Sequence, residues 1–170
     1  MLTSFIACGI MFLVTHPTPE DWMYAAPLHV VMKKGVSERL VVDQKLTCNN
    51  VIKIGNTAIP TEDLMSLIGR KGFVLFSKED GTQMYFQVRV DEASSPLTRQ
   101  ATDWKRVYRF NTLVMGSVNA QEWAKRFLDH VFQGMSNVFY DKDDIIIGHR
   151  GTSAAEVKRD MGAFYARSTN

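Results

Sequence analysis

Three aspartates stand where carboxylates could act together. Asp80 ends the run Phe76-Ser77-Lys78-Glu79-Asp80, and Asp143 and Asp144 lie between two apolar runs, Asn137-Val138-Phe139-Tyr140 and Ile145-Ile146-Ile147. Converging carboxylates repel one another, so a fold that gathers them offsets the charge with a hard cation, and oxygen ligands select Mg²⁺ or Mn²⁺ over zinc. Two such ions suit phosphoryl transfer, one lowering the pKa of an attacking hydroxyl and the other stabilising the leaving oxygen. A solvated turn serves an acid pair equally well, and spacing alone does not choose between the two readings. Side chains alternate along a strand, so adjacent Asp143 and Asp144 cannot both face Asp80 from regular β-structure. Asp143 is therefore expected as the principal partner of Asp80, with Asp144 as an auxiliary.

The elements that must position these residues are short. The chain has 170 residues, 45% hydrophobic and 22% charged, with a net charge of +2. This is the composition of a folded domain, and its bulk field is too weak to point to nucleic acid or a membrane. Two cysteines, Cys8 and Cys48, offer neither a disulfide framework nor a zinc site, which makes a reducing intracellular compartment the default. Leu2 to Val14 reads as one amphipathic helix with Gly9 as a break, lacking a basic flank and too short to span a bilayer, so no membrane partner is expected.

Residues 28–32 and 39–43 read as a hairpin with a basic tip, and residues 60–69 as a helix capped by Thr61. Phe73 to Phe76 is a continuous apolar run, expected as a strand buried on both faces. Residues 84–90, Leu97-Thr98 and 107–110 read as further strands. Ala120, Ala124, Phe127, Leu128, Val131 and Phe132 recur on one face of a helix between Ser117 and Gly134, with an Asn119/Glu122 capping box. An acid-tipped hairpin comes next, then a closing helix over 152–165. His16, His29, His130 and His149 show no ligand spacing and read as packing or surface groups. Arg99, Lys105, Arg106 and Arg109, interleaved with Trp104 and Tyr108, suit either a template strand or a solvated hairpin face.

In this order the motifs resemble the reverse transcriptases of Ty3/gypsy-type long-terminal-repeat retrotransposons. Pro27 to Lys34 with Arg39 to Asp43 is similar to the family's fingers strands, Gln44-Lys45-Leu46-Thr47 to the element after them, and Ile59-Pro60-Thr61 to its Ile-Pro-Thr segment. Phe76 to Asp80 resembles the Phe-Ser-Lys-x-Asp motif of the first metal ligand, and Tyr85-Phe86-Gln87-Val88 resembles the segment just downstream of that motif. Tyr108 to Gly116 is similar to the nucleotide-pocket motif, and Asp143-Asp144-Ile145-Ile146-Ile147 to the second catalytic motif. Asp141 stands where the family has Tyr, and Val114 where it has Pro.

The resemblance implies an α/β (α+β) fold with fingers over 1–55 and 88–118 and a ferredoxin-like palm over 56–87 and 119–170, the thumb being absent. It implies RNA-directed DNA synthesis, with Asp80, Asp143 and Asp144 holding Mg²⁺ or Mn²⁺. Lys33, Lys34 and Arg39 would grip the triphosphate, while Tyr85, Phe86 and Met115 would form the nucleotide pocket. Implied partners are an RNA or DNA template-primer, a deoxynucleoside triphosphate and other parts of a polyprotein. The alternative is a catalytically inactive polymerase remnant that binds nucleic acid or protein.

Overall fold

The computed structural model describes residues 2–33, 37–45, 47, 60–102 and 105–169, with the backbone alone at residues 33 and 37–39. Lys34, Leu46, Cys48, Ile59 and Trp104, and the side chains of Lys33 and Arg39, lie outside the described residues. The chain divides into two compact units, Met1–Gly55 with Tyr85–Gln121, and Asn56–Met84 with Glu122–Asn170. Helices and sheets are mixed in both, which makes the fold α+β.

The first unit is built on a five-stranded sheet. Helix α1 (Leu2–Ala7) leads to strand β1 (Met11–Leu13), helix α2 (Pro19–Met23) and the hairpin β2 (Ala26–Lys33) and β3 (Ser37–Val42). Strands β5 (Gln100–Thr102) and β6 (Arg106–Phe110) complete it in the order β1-β6-β5-β2-β3. Among the described residues only β2 and β5 run parallel, and they pair over two residues, Ala26 with Gln100 and Pro27 with Ala101. Met11, Leu28, Leu40, Tyr108, Phe110 and Val114 form the core, with Leu2 and Phe5 packed against it.

The single helix expected over Leu2 to Val14 ends at Ala7. Gly9 adopts φ +67°, its N–H bonds the Ile6 carbonyl at 2.9 Å, and the Ile10 N–H bonds the Phe5 carbonyl at 3.0 Å. These are the paired bonds of a glycine C-terminal cap, which turns the chain into β1. Apolar spacing alone could not separate the two elements, because a short strand fits the same positions.

The second unit is a three-stranded antiparallel sheet with helices on both faces. Helix α3 (Thr61–Gly69) precedes β4 (Leu75–Asp80), and helix α5 (Ala120–Val131), most of which lies in this unit, leads to the hairpin β7 (Val138–Asp141) and β8 (Asp144–His149). Helix α6 (Ala154–Ser168) follows. The strand order is β4-β8-β7. On one face Leu64 and Ile68 of α3 pack on Phe139, Phe73 and Ile146. On the other, Phe132 stacks on Phe164 of α6 and lies 6.3 Å from the Tyr140 ring.

Other expectations need correction. Thr61 is not the cap of α3: Pro60 holds that position without a side-chain bond, and the Thr61 hydroxyl donates instead to Asp141 at 3.0 Å. The apolar run at residues 73–76 is not buried on both faces, because Leu75 and Phe76, on opposite faces of β4, remain 40% and 47% exposed. Residues 84–87 form a short helix, α4 (Met84–Gln87), rather than a strand. The Gly81 N–H closes onto the Asp143 carbonyl at 2.7 Å, and the Met84 N–H then folds back to Gly81 at 3.0 Å, so the extended chain turns before it can continue. Leu97-Thr98 lies in a 3₁₀ turn (Ser95–Thr98), since Pro96 favours a helical start.

Candidate functional site

The register of the second sheet sets the acidic site. Asp80 lies directly opposite Asp144, and Asp144 directly opposite Asp141 on its other side. Residues directly opposite in a sheet project from the same face, so Asp80, Asp144 and Asp141 form one row across three strands. Lys78, two residues back from Asp80, shares that face, and its Nζ reaches Asp144 Oδ1 at 2.9 Å. The Asp144 carboxylate, with the charges of Asp80 and Asp143 added, holds the Lys78 ammonium above the usual lysine range. Asp80, Asp143 and Asp144 are all exposed to solvent.

Asp143 occupies the second position of the two-residue connection between β7 and β8, so strand alternation does not govern it. Lys142 before it adopts φ +58°. A positive φ at the first central residue is the pattern of a type II′ hairpin turn, where glycine is usual, and a lysine there costs about 1–2 kcal/mol. Gly81 fits this loop closely. A Cβ on it would come within 3.3 Å of the Asp143 carbonyl and 3.2 Å of Met84 Cβ. The expected principal partner, Asp143, thus joins the end of β4 through its backbone, while Asp144 stands in register with Asp80.

The donor chemistry of this row suits a hard divalent cation, since every candidate ligand is an oxygen and an ammonium already sits among them. Among the described residues, however, no three carboxylate, imidazole or thiol groups are gathered closely enough to hold a metal ion as they stand. Asp144 is turned to Lys78 and Asp141 to Thr61.

The first unit carries the residues expected to bind nucleotide. Phe86, on α4, stacks on Phe110 with centroids 6.2 Å apart and meets the Phe5 ring edge-on at 5.3 Å. Tyr85 and Met115 are half-buried.

The basic stretch separates into two parts. Arg99 Nε and Arg109 Nη2 each reach Asp21 Oδ1 at 2.6 Å, so neither is a free template contact. Asp21 is only 2% exposed, and its other oxygen accepts from the Thr18 N–H and hydroxyl, both at 3.0 Å. Burial opposes its charge, but Arg109, Arg99 and Thr18 together outweigh that and hold the carboxyl well below the usual range. Lys105 and Arg106 instead line an open hollow of about 560 Å³ with His29, Thr102 and Tyr108, formed where β2 diverges from β5.

Sequence reasoning took His149 for a packing or surface group and did not single out Asp129. His149 is wholly buried and bonds both Ser77 and Asp160. Asp129 accepts a short hydrogen bond from the Tyr140 hydroxyl. Strand alternation places His149 on the covered face of β8, a signal available in the sequence, but nothing local announces its partner on α6.

No protein-family model matches the chain. It is 30% identical over 131 residues to the enzymatic polyprotein of Soybean chlorotic mottle virus, a match covering 76% of this chain and 18% of that protein. Among solved structures, the protease-reverse transcriptase of Prototype Foamy Virus superposes with a TM-score of 0.79 at 15% identity, covering 98% of this chain and 21% of that one. A foamy viral protease-reverse transcriptase in complex with dsDNA superposes with a TM-score of 0.76 at 14% identity, covering 98% and 33% respectively. The chain spans about a fifth to a third of the relatives it matches. Among the described residues no helix is long and apolar enough to cross a membrane. The fold is that of a segment of a retroviral protease-reverse transcriptase, and the sequence is similar to a segment of a viral polyprotein.

Proposed function

We propose that the chain is the fingers and palm of an RNA-directed DNA polymerase of the Ty3/gypsy type, the first unit corresponding to the fingers and the second to the palm. The observation that carries this reading is the register that sets Asp80 opposite Asp144, with Asp143 on the adjoining loop, in a chain whose fold is that of a reverse-transcriptase segment. Asp80, Asp143 and Asp144 would hold Mg²⁺ or Mn²⁺, and bound ions of this kind activate an attacking hydroxyl and stabilise the leaving oxygen.

The chain's own residues then bind and orient. Lys33, Lys34 and Arg39 grip the triphosphate of a deoxynucleoside triphosphate, Arg39 suited to it by its planar fork of donors. Tyr85 lies under the sugar and excludes a 2′-hydroxyl by bulk, with the Phe86 backbone and Met115 completing the pocket. That backbone is suited to a rigid wall because the Phe86 ring is clamped between Phe5 and Phe110. The partner is an RNA or DNA template-primer, with other parts of a polyprotein as a further partner.

Extension of a labelled primer on an RNA template with Mg²⁺ or Mn²⁺ tests the reading, with Asp80→Asn and Asp143→Asn as controls. Incorporation that both substitutions abolish is the expected result. Incorporation that survives both removes the site assignment. Salt-sensitive binding of template-primer without any incorporation turns the reading to a non-catalytic remnant.

A further inference from the structure

A chain of three polar side chains crosses the second unit on the sheet face opposite the acidic row. His149, the last residue of β8, has no exposed surface. Its Nδ1 lies 3.0 Å from Asp160 Oδ2 on α6, and its Nε2 lies 2.9 Å from Ser77 Oγ on β4. A carboxylate can only accept, so Nδ1 carries the proton. With the ring neutral, Nε2 is the acceptor and the Ser77 hydroxyl the donor. Arg159 reaches the second oxygen of Asp160 at 3.4 Å.

Hydroxyl, imidazole and carboxylate in this order are also the parts of a nucleophile triad. An imidazole without exposed surface cannot hand a proton to a leaving group, so the chemistry of such a triad does not fit here. The mechanical consequence does. Ser77 stands opposite Ile147, and Leu75 stands opposite His149, so the Ser77–His149 bond runs diagonally across the β4–β8 pair. A slip of β4 by one residue would carry Ser77 to the other face and leave a buried ring nitrogen without its partner. The same slip would carry Asp80 off the face it shares with Asp144. Among the described residues β4 and β7 are both edge strands, but the two-residue turn into β8 fixes the register of β7, whereas β4 has no such turn and is the strand in need of a constraint.

We propose that Ser77, His149 and Asp160 form a register lock, in which Ser77 is the positioning residue that keeps Asp80 opposite Asp144. Its catalytic consequence rests on the polymerase reading; the lock itself does not.

The test compares Ser77→Ala and Ser77→Thr in the full chain by amide hydrogen exchange and by primer extension. In Ser77→Ala the amides of Glu79 and Gly81, which face β8, exchange about tenfold faster while those of α3 are unchanged. Turnover falls about tenfold, with the nucleotide KM within about twofold of the parent. Ser77→Thr restores the hydroxyl and returns both readouts. Asp160→Ala, at the partly exposed end of the chain, gives a smaller rise of about threefold in the same amides and serves if Ser77→Ala does not fold. Exchange at Glu79 and Gly81 within about twofold of the parent, in whichever of these variants folds, overturns the lock. A parent that incorporates no nucleotide beyond the Asp80→Asn control overturns the polymerase reading, and the exchange measurement still decides the lock.

Discussion

Asp21 and Asp144 are both aspartates paired with cations, and they differ in almost everything else. Asp21 is buried, with two guanidiniums on one oxygen and the Thr18 N–H and hydroxyl on the other. Asp144 is half exposed and shares a single lysine with the neighbouring charges of Asp80 and Asp143. The first arrangement is saturated: every lone pair faces a donor, and nothing is left to bind a ligand. The second carries more negative charge than its own residues neutralise. Satisfied charge in the interior serves the fold, whereas unbalanced charge at a surface is what a cation or a cationic partner can complete.

The largest expected effect lies on the saturated side. Asp21→Ala leaves Arg99 and Arg109 without their shared carboxylate and removes the capping bonds of α2, costing about 3–5 kcal/mol in urea unfolding at neutral pH. Because the folded carboxyl is held well below its unfolded value of about 3.9, its contribution is complete above roughly pH 5. It is lost as the pH falls through that value toward the folded one. The difference between parent and variant should therefore shrink at pH 3. A penalty that is small at pH 7, or that grows on acidification, would break the contrast.

The acidic row should respond in the opposite sense. Asp144→Asn relieves repulsion and gives up only a solvent-screened pair, so the unfolding midpoint stays with the parent. Primer extension is expected to fall by at least about a hundredfold. A variant that unfolds readily yet still incorporates nucleotide would place Asp144 with Asp21, among the structural acids. Tyr140→Phe tests the covered face of the same sheet. Burial and the Asp129 carboxylate both hold the Tyr140 hydroxyl above the usual phenol range, and losing that hydrogen bond costs about 1 kcal/mol. Incorporation should be unaffected, because the residue points away from the row.

The acid-tipped hairpin was legible because apolar runs on either side of a polar tip leave one register in which both strands bury a face. The α5 helix was legible from its stripe of Ala120, Ala124 and Leu128, all buried. What could not be read was tertiary. Residues 2–14 read as one helix and 84–90 as a strand, and both readings are overturned, the first by the Gly9 cap and the second by the Gly81–Asp143 closure. The clustered arginines at 99 and 109 look like a nucleic-acid contact until Asp21, far away in sequence, claims them. Asp141, in place of the Tyr of the resembled family, is taken up by Thr61, a contact that no local pattern announces. The preference for Asp143 over Asp144 followed strand alternation, which the loop position of Asp143 sets aside.

Lys78 offers the finest division between the two kinds of acid. Its ammonium bonds Asp144 at 2.9 Å and is 65% exposed, so it neutralises part of the row without burying anything. A divalent cation bound by Asp144 would lie close to that ammonium and be repelled by it, so the two compete for the same carboxylate. Lys78→Ala should leave the unfolding midpoint unchanged and lower the half-saturating concentration of Mn²⁺ in primer extension by about threefold, with maximal turnover close to the parent. Lys78→Arg keeps the competition and should leave that concentration near the parent value. A rise in the Mn²⁺ requirement on Lys78→Ala would mean that the lysine helps to assemble the row. Asp144 would then be a settled ion pair like Asp21, and the charge imbalance would rest on Asp80 and Asp143.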